Sequence, residues 1–186
     1  IVYCLEGSRN GGVWIGSYYG DVDYYERGES RNVLPRSRLN TGRLRALLED
    51  SRGRLWIGSD AALHRLAGGR LLTFGPADGF PNSAARVVYE DIEGTIWVGT
   101  DGAGLLFVQN DRLVPFEWNA ELPSPVVRAI HRDREGRLWL GTYGGLSYLQ
   151  NGALHTYTVA DGLVHSNVRT IHETPDGTLW IGTYGG

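Results

Sequence analysis

Apolar residues along this chain come in short runs broken by glycines and polar stretches, and no segment keeps a helical period for three turns. Val87-Val88-Tyr89 and Ile96-Trp97-Val98 show the type: β-branched and aromatic runs far below helical length, separated by a stretch that contains Gly94. Two such runs flanking a turn predict a β-hairpin. A Gly-Thr pair and a second turn follow, marked by Gly144-Gly145 or Gly102-Ala103-Gly104. Then come a third run, Leu146-Ser147-Tyr148-Leu149, a turn at Asn151-Gly152, and a fourth run, Leu154-His155-Thr156-Tyr157. The pattern predicts units of four antiparallel strands, A to D. The segment from Leu44 to Asp50 is rich in the helix formers Leu and Ala, but its place in the pattern assigns it to strand A.

The units repeat in register. Trp14, Trp56, Trp97, Trp139 and Trp180 are separated by 42, 41, 42 and 41 residues. Glycine stands two residues after each (Gly16, Gly58, Gly99, Gly141, Gly182) and three before each (Gly11, Gly53, Gly94, Gly136, Gly177). A four-stranded antiparallel unit of this length, repeated, is the signature of a β-propeller blade, each copy burying its face against the next. The expected fold is therefore all-β: a β-propeller of four-stranded blades, with repeats at 1–42, 43–84, 85–125 and 126–167 and a half-repeat at 168–186. Trp and the glycine two residues on share one face of strand B. Trp is expected to fill the space between blades, and glycine to leave room for a bulky neighbour. Trp118 falls outside this set, in a loop.

Some copies depart from the pattern. The first unit has Ser8 where the A–B turn elsewhere carries Asp, and its strand D, Glu29 to Leu34, is polar. The third has Asn119-Ala120-Glu121-Leu122 in place of Asp-Gly-Leu, and Pro115 in strand D, tolerable only on an edge strand.

Composition narrows the function. A net charge of −3 argues against a nucleic-acid partner, and one cysteine rules out both a disulfide framework and a multi-cysteine metal site. No apolar run approaches membrane-spanning length, so direct membrane contact is not expected of this segment, and Ile1-Val2-Tyr3-Cys4 lacks the features of a signal peptide. Four and a half units look cut from a longer array, part of a larger propeller. Uncovered blade faces and an open strand edge predict self-association.

Candidate chemistry lies at one end of the channel that strand A lines in propellers. Eleven residues before each Trp stand Tyr3, Arg45, Arg86, Arg128 and Arg169, so four arginines occupy one equivalent position at the start of strand A. Four strand steps on, about 13 Å away, the series Gly7, Glu49, Glu90, Arg132 and Glu173 is mostly acidic. Strand B returns to the arginine end, where its turns bring Tyr18, Asp60, Asp101, Tyr143 and Tyr184. The D–A loops add Asp78 to Asn82, and His165 with Asn167. Guanidinium forks bind carboxylate or sulfate, and exposed tyrosine rings stack on sugars. Arg45, Arg86, Arg128, Arg169, Tyr18, Tyr143, Tyr184, His165 and Asn167 are thus candidates for an oligosaccharide or other small anionic ligand. The competing reading is structural: the arginines bond carbonyls of the adjacent blade or pair with Asp60 and Asp101. His131 and His172 share a repeated position but have Glu6, Leu48 and Tyr89 as counterparts, which favours core histidines over a metal site. No nucleophile elbow, zinc-spaced histidine pair or glycosidase-like carboxylate pair stands out, so no catalytic residue, metal or cofactor is assigned.

The phrase Asp133-Arg134-Glu135-Gly136-Arg137-Leu138-Trp139-Leu140-Gly141-Thr142-Tyr143-Gly144-Gly145-Leu146 resembles the two-component regulator propeller repeat. So does Asp161-Gly162-Leu163 leading to Asn167-Val168-Arg169 and Ile171, and the resemblance extends along the whole chain. It implies a periplasmic or otherwise extracytoplasmic sensor propeller of a bacterial signal-transduction receptor, ahead of a membrane anchor and a histidine kinase or diguanylate cyclase, with glycans among the ligands of the family. On that resemblance this segment is not itself an enzyme. Two alternatives stay open: a propeller enzyme similar to the streptogramin lyases, with His165 pressed into service, and a protein-interaction or dimerisation scaffold.

Overall fold

The structure, a computed structural model, describes residues 1–39 and 42–186. Four sheets of four antiparallel strands succeed one another, each in simple up-and-down order. The first holds β1 (Val2–Gly7), β2 (Val13–Ser17), β3 (Val22–Glu26) and β4 (Glu29–Leu34). The second holds β5 (Leu44–Glu49), β6 (Leu55–Ser59), β7 (Leu63–Ala67) and β8 (Arg70–Phe74). The third holds β9 (Ala85–Glu90), β10 (Ile96–Thr100), β11 (Leu105–Gln109) and β12 (Arg112–Pro115). The fourth holds β13 (Val127–Arg132), β14 (Leu138–Thr142), β15 (Leu146–Gln150) and β16 (Ala153–Tyr157), and a two-stranded sheet, β17 (Val168–Glu173) and β18 (Leu179–Thr183), follows. Helix is confined, among the described residues, to α1 (Arg36–Leu39) and to single 3-10 turns such as Pro76–Asp78 and Val159–Asp161 in the D–A loops. The segment at Leu44 is a strand despite its leucines, because its apolar side chains are needed against the preceding blade.

Successive blades pack through their first strands, β1 on β5, β5 on β9, β9 on β13 and β13 on β17. Each interface uses the same positions. Trp56 meets Val88, Ile96 and Val98 of the following blade; Trp97 meets Ile130, Leu138 and Leu140. Trp139 in turn packs with Val168, Ile171, Leu179 and Ile181. The glycine two residues after Trp is there because the next blade comes too close for a side chain. A Cβ on Gly58 would lie 2.5 Å from the Ala85 carbonyl oxygen, and one on Gly141 would lie 2.7 Å from Val168 Cγ1. Burial of these faces is the main force joining the blades.

The repeated Asp explains the rest of the phrase. Asp50 is fully buried and accepts bonds from Trp56 Nε1 (2.7 Å), Arg54 Nε (2.6 Å) and the backbone N–H groups of Arg52 and Arg54. Asp133 does the same for Trp139 (2.6 Å) and Arg137 (2.6 Å), and Asp91 for Trp97 (2.8 Å). One carboxylate closes the A–B turn and satisfies the indole that the blade interface buries. In the first unit, with Ser8 in that place, Trp14 Nε1 donates instead across the interface to Glu49 Oε2 at 2.6 Å.

One sequence expectation needs adjustment. Trp118 is not a free loop residue: it is half-buried against the cluster of Trp97, Phe116 and Leu122. The following Asn119 clamps Leu105, its Oδ1 accepting from the Leu105 N–H and its Nδ2 donating to the Leu105 carbonyl, both at 2.9 Å. That clamp rationalises the irregular third-unit loop. Pro115 lies opposite Leu106 on β12, an edge strand, as its missing N–H requires.

The blade faces at the two ends of the array are uncovered. Trp180 is 63% exposed where Trp56 is wholly buried, and Val2 and Leu5 are 59% and 61% exposed where their counterparts Leu44 and Leu47 are buried.

Candidate functional site

Strands A and B of every sheet slip register at one place, and that place is the repeated arginine. Leu44 pairs with Ser59 and Ala46 with Gly58, leaving Arg45 as the extra residue of a β-bulge. Ala85 and Val87 leave out Arg86, Val127 and Ala129 leave out Arg128, and Val168 and Thr170 leave out Arg169; Tyr3 is the bulged residue of β1. A bulge bends the strand and re-aims one side chain, which takes each of these out of the alternation that would otherwise assign it to a blade face. The five re-aimed side chains, Tyr3, Arg45, Arg86, Arg128 and Arg169, line one concavity of about 230 Å³ at the mouth of the channel.

The arginines are not equivalent in their partners. Arg45 pairs with Asp60 at 2.5 Å and donates to the Tyr3 hydroxyl at 2.8 Å, while Arg43 adds a second guanidinium to Asp60 at 2.9 Å. Burial opposes ionisation of Asp60, but the hydrogen bonds from Arg43 and Arg45 outweigh it and hold its carboxyl below the usual range. Arg86 forms an ion pair with Asp101. Where those blades carry aspartate, the next two carry tyrosine. Arg128 lies 4.5 Å over the Tyr143 ring and donates to its hydroxyl, and Arg169 lies 4.7 Å over the Tyr184 ring. Burial and the neighbouring charges of Arg86 and Arg169 push the pKa of Arg128 down from its ordinary value.

The other candidates flank this mouth. Tyr18, 37% exposed, sits 6.2 Å from Tyr3 with the Arg43 guanidinium 5.3 Å over its ring. Tyr143 is 38% and Tyr184 58% exposed, so both rings keep open edges. His165 is exposed, its Nδ1 accepting from the Asn167 N–H at 3.0 Å and its ring standing edge-on to Tyr184 at 5.8 Å. The Asn167 backbone oxygen receives the Tyr184 N–H at 2.9 Å, and its side-chain Oδ1 is buried without a partner in the structure.

The opposite, acidic end is spent on cross-blade ties. Glu90 receives both the N–H and the hydroxyl of Ser51 at 2.6 Å, and Glu173 receives Arg134 Nε at 2.7 Å. His131 is half-buried with Nε2 3.3 Å from Glu173, and His172 is exposed, so neither is the core histidine that the repeat position suggests. The buried histidine is His64, beside Thr73 at 2.9 Å, and burial pushes its pKa down to about 4. Among the described residues no three His, Cys, Asp or Glu side chains converge as metal ligands would.

A succession of up-and-down four-stranded blades packed through their first strands defines this chain as a β-propeller. Residues 38–61, 79–102, 121–144 and 162–185, just over half of the chain, match the two component regulator propeller family, and the chain belongs to that family. The matches surround the second to fifth repeated tryptophans; the divergent first unit is not among them. No curated protein matches the chain. Among solved structures it is similar to the extracellular domain of a hybrid two component system from B. thetaiotaomicron (23% identity, TM-score 0.81), covering 98% of this chain and 26% of that one. It is also similar to virginiamycin B lyase from Staphylococcus aureus in complex with quinupristin (12% identity, TM-score 0.81), over 99% of this chain and 64% of the lyase. A third, the extracellular domain of a one component system from B. thetaiotaomicron, shows 19% identity and a TM-score of 0.53 over 98% of this chain and 33% of that one. At these identities the likeness shows the propeller fold, and the chain spans about a quarter of the first of these proteins.

Proposed function

We propose that this chain is the ligand-binding sensor propeller of a bacterial signal-transduction receptor, placed outside the cytoplasm, and that its ligand, an oligosaccharide or other small anionic molecule, sits at the arginine mouth. Membership of the two component regulator propeller family supports the receptor role, and two of the similar structures are extracellular domains of one- and two-component systems. The observation that carries the site is the bulge series, which turns four arginines of four blades into one concavity. Any kinase or cyclase activity would belong to another part of the receptor, and no helix among the described residues is long and apolar enough to cross a membrane. Calorimetric titration with neutral and acidic oligosaccharides is expected to show binding without turnover. Turnover that needs a divalent metal would overturn the sensor in favour of a lyase, and neither binding nor turnover would leave a scaffold.

We also propose that the isolated 186-residue polypeptide self-associates head to tail. The Trp180 face of one copy would take the uncovered Val2, Leu5, Val13 and Ile15 face of another, repeating the interface that joins its own blades. Light scattering is expected to show oligomers that Leu5→Asp and Trp180→Lys each disperse. A monodisperse monomer, stable to dilution in the unaltered chain, would contradict it.

A further inference from the structure

We infer that the mouth is divided, and that the half formed by Arg128 and Arg169 with Tyr143 and Tyr184 is built to hold an oxyanion, whereas the half formed by Arg45 and Arg86 is already neutralised. The inference rests on the sensor role proposed above and specifies where in that site the charge of the ligand is met. Asp60 and Asp101 stand four residues after their tryptophans and supply Arg45 and Arg86 with carboxylates. The equivalent positions of the next two blades are Tyr143 and Tyr184, which offer Arg128 and Arg169 a ring face and, for Arg128, a hydroxyl, but no negative charge.

The exchange of Asp for Tyr has a direct electrostatic consequence. A tyrosine face attracts a guanidinium only weakly and brings no counter-charge, so the like charges gathered in the concavity stay uncompensated on this side. Burial first, and then the like charges of Arg86 and Arg169, lower the pKa of Arg128. Arg128 Nε is buried and has no partner in the structure, so at least one donor of its fork is unused. A cationic cleft of this kind is completed by a counter-charge, and two guanidiniums with open N–H groups match a carboxylate or a sulfate bidentately. The half-exposed rings of Tyr143 and Tyr184 beside them suit stacking by the sugar or other ring that carries the anion. The tyrosines hold the guanidiniums by their faces and take one Arg128 N–H at the Tyr143 hydroxyl, but they bring no carboxylate. Asp60 engages Arg45 through Nε and a terminal nitrogen, and Asp101 neutralises Arg86 through one terminal nitrogen while Arg86 Nε, like Arg128 Nε, has no partner.

The test compares digalacturonate, inorganic sulfate and neutral cellobiose on the full 186-residue chain, read by calorimetry and by melting temperature at constant ionic strength. Digalacturonate or sulfate, but not cellobiose, should bind and raise the melting temperature of the unaltered protein. Arg128→Gln with Arg169→Gln should weaken that binding at least tenfold, and by more than Arg45→Gln with Arg86→Gln does. Without ligand, the double variant should melt no lower than the unaltered protein, because it removes charges that lack a counter-charge, whereas Arg86→Gln should melt lower by losing Asp101. Response to the carboxylate but not to sulfate, or the reverse, identifies which oxyanion the cleft takes. Equal anion binding by the unaltered protein and the double variant would overturn the inference, as would no response to either anion. Cellobiose binding that survives the double variant would overturn it while leaving the sensor role standing.

Discussion

Replacing Trp56 with alanine is expected to cost about 3–5 kcal/mol, the usual range for emptying a large buried aromatic site, whereas Trp180→Ala should change stability by less than about 0.5 kcal/mol. The two residues occupy the same repeat position on strand B, so residue type and place in the blade are matched between them. Their surroundings differ. Trp56 is wholly buried, stacks on Phe74 at 5.7 Å, carries the Arg54 and Arg65 guanidiniums over its ring and donates to Asp50. Trp180 is 63% exposed, and its unit has Thr174 where the second to fourth units have the accepting Asp. Removing Trp56 also leaves Val88, Ile96 and Val98 of the following blade facing a void. Urea unfolding of both variants in the same buffer measures the difference. Equal losses would mean that the tryptophan stabilises its own blade rather than the joint between blades.

That contrast also shows what could be read before the structure. The tryptophan period, the glycine two residues on and the short β-branched runs define four-stranded blades, because each is a local requirement that every copy must meet: close approach at Gly58 and Gly141, a satisfied indole at Trp56 and Trp139. The arginine series was visible by counting from the tryptophans. The bulge that gathers it into one concavity was not, because pairing of Leu44 with Ser59 and Ala46 with Gly58 is a register property of two strands and leaves no mark on either alone. The histidines misled for the opposite reason. His131 and His172 share a repeat position, but their burial depends on whether a following blade covers them, and only His131 has one, Glu173 supplying its partner. His64, singular in the sequence, is the one enclosed, paired across β7 and β8 with Thr73.

Asp133→Ala should be nearly as damaging as loss of the tryptophan it serves, about 3–5 kcal/mol, because removing one partner of a buried charged pair leaves the others without compensation. Asp133 is 4% exposed and accepts from Trp139 Nε1, Arg137 Nε and the backbone N–H groups of Glu135 and Arg137, all within 3.0 Å. Alanine would strand the indole N–H inside the interface and unlatch the A–B turn of the fourth blade. The same bonds set the acid limit of the fold. Burial pushes the Asp50 and Asp133 carboxyls upward, but the hydrogen bonds from Trp56 and Trp139 and the neighbouring arginines outweigh it, so both titrate below their ordinary value. A carboxyl whose folded pKa lies below its unfolded value near about 3.9 binds its proton more readily in the unfolded chain. Its stabilisation is therefore complete above about pH 4 and is lost as pH falls from there through the lowered folded pKa. Asp133→Asn removes the titrating group but keeps one acceptor oxygen, and places an amide NH₂ where a donor already points. It should start less stable than the unaltered protein at pH 7 and lose less on acidification from pH 5 to pH 2.5, which melting curves taken across that interval would show. Parallel loss of stability in the two proteins below pH 4 would mean that the Asp133 carboxylate is not among the groups whose protonation unfolds the blades.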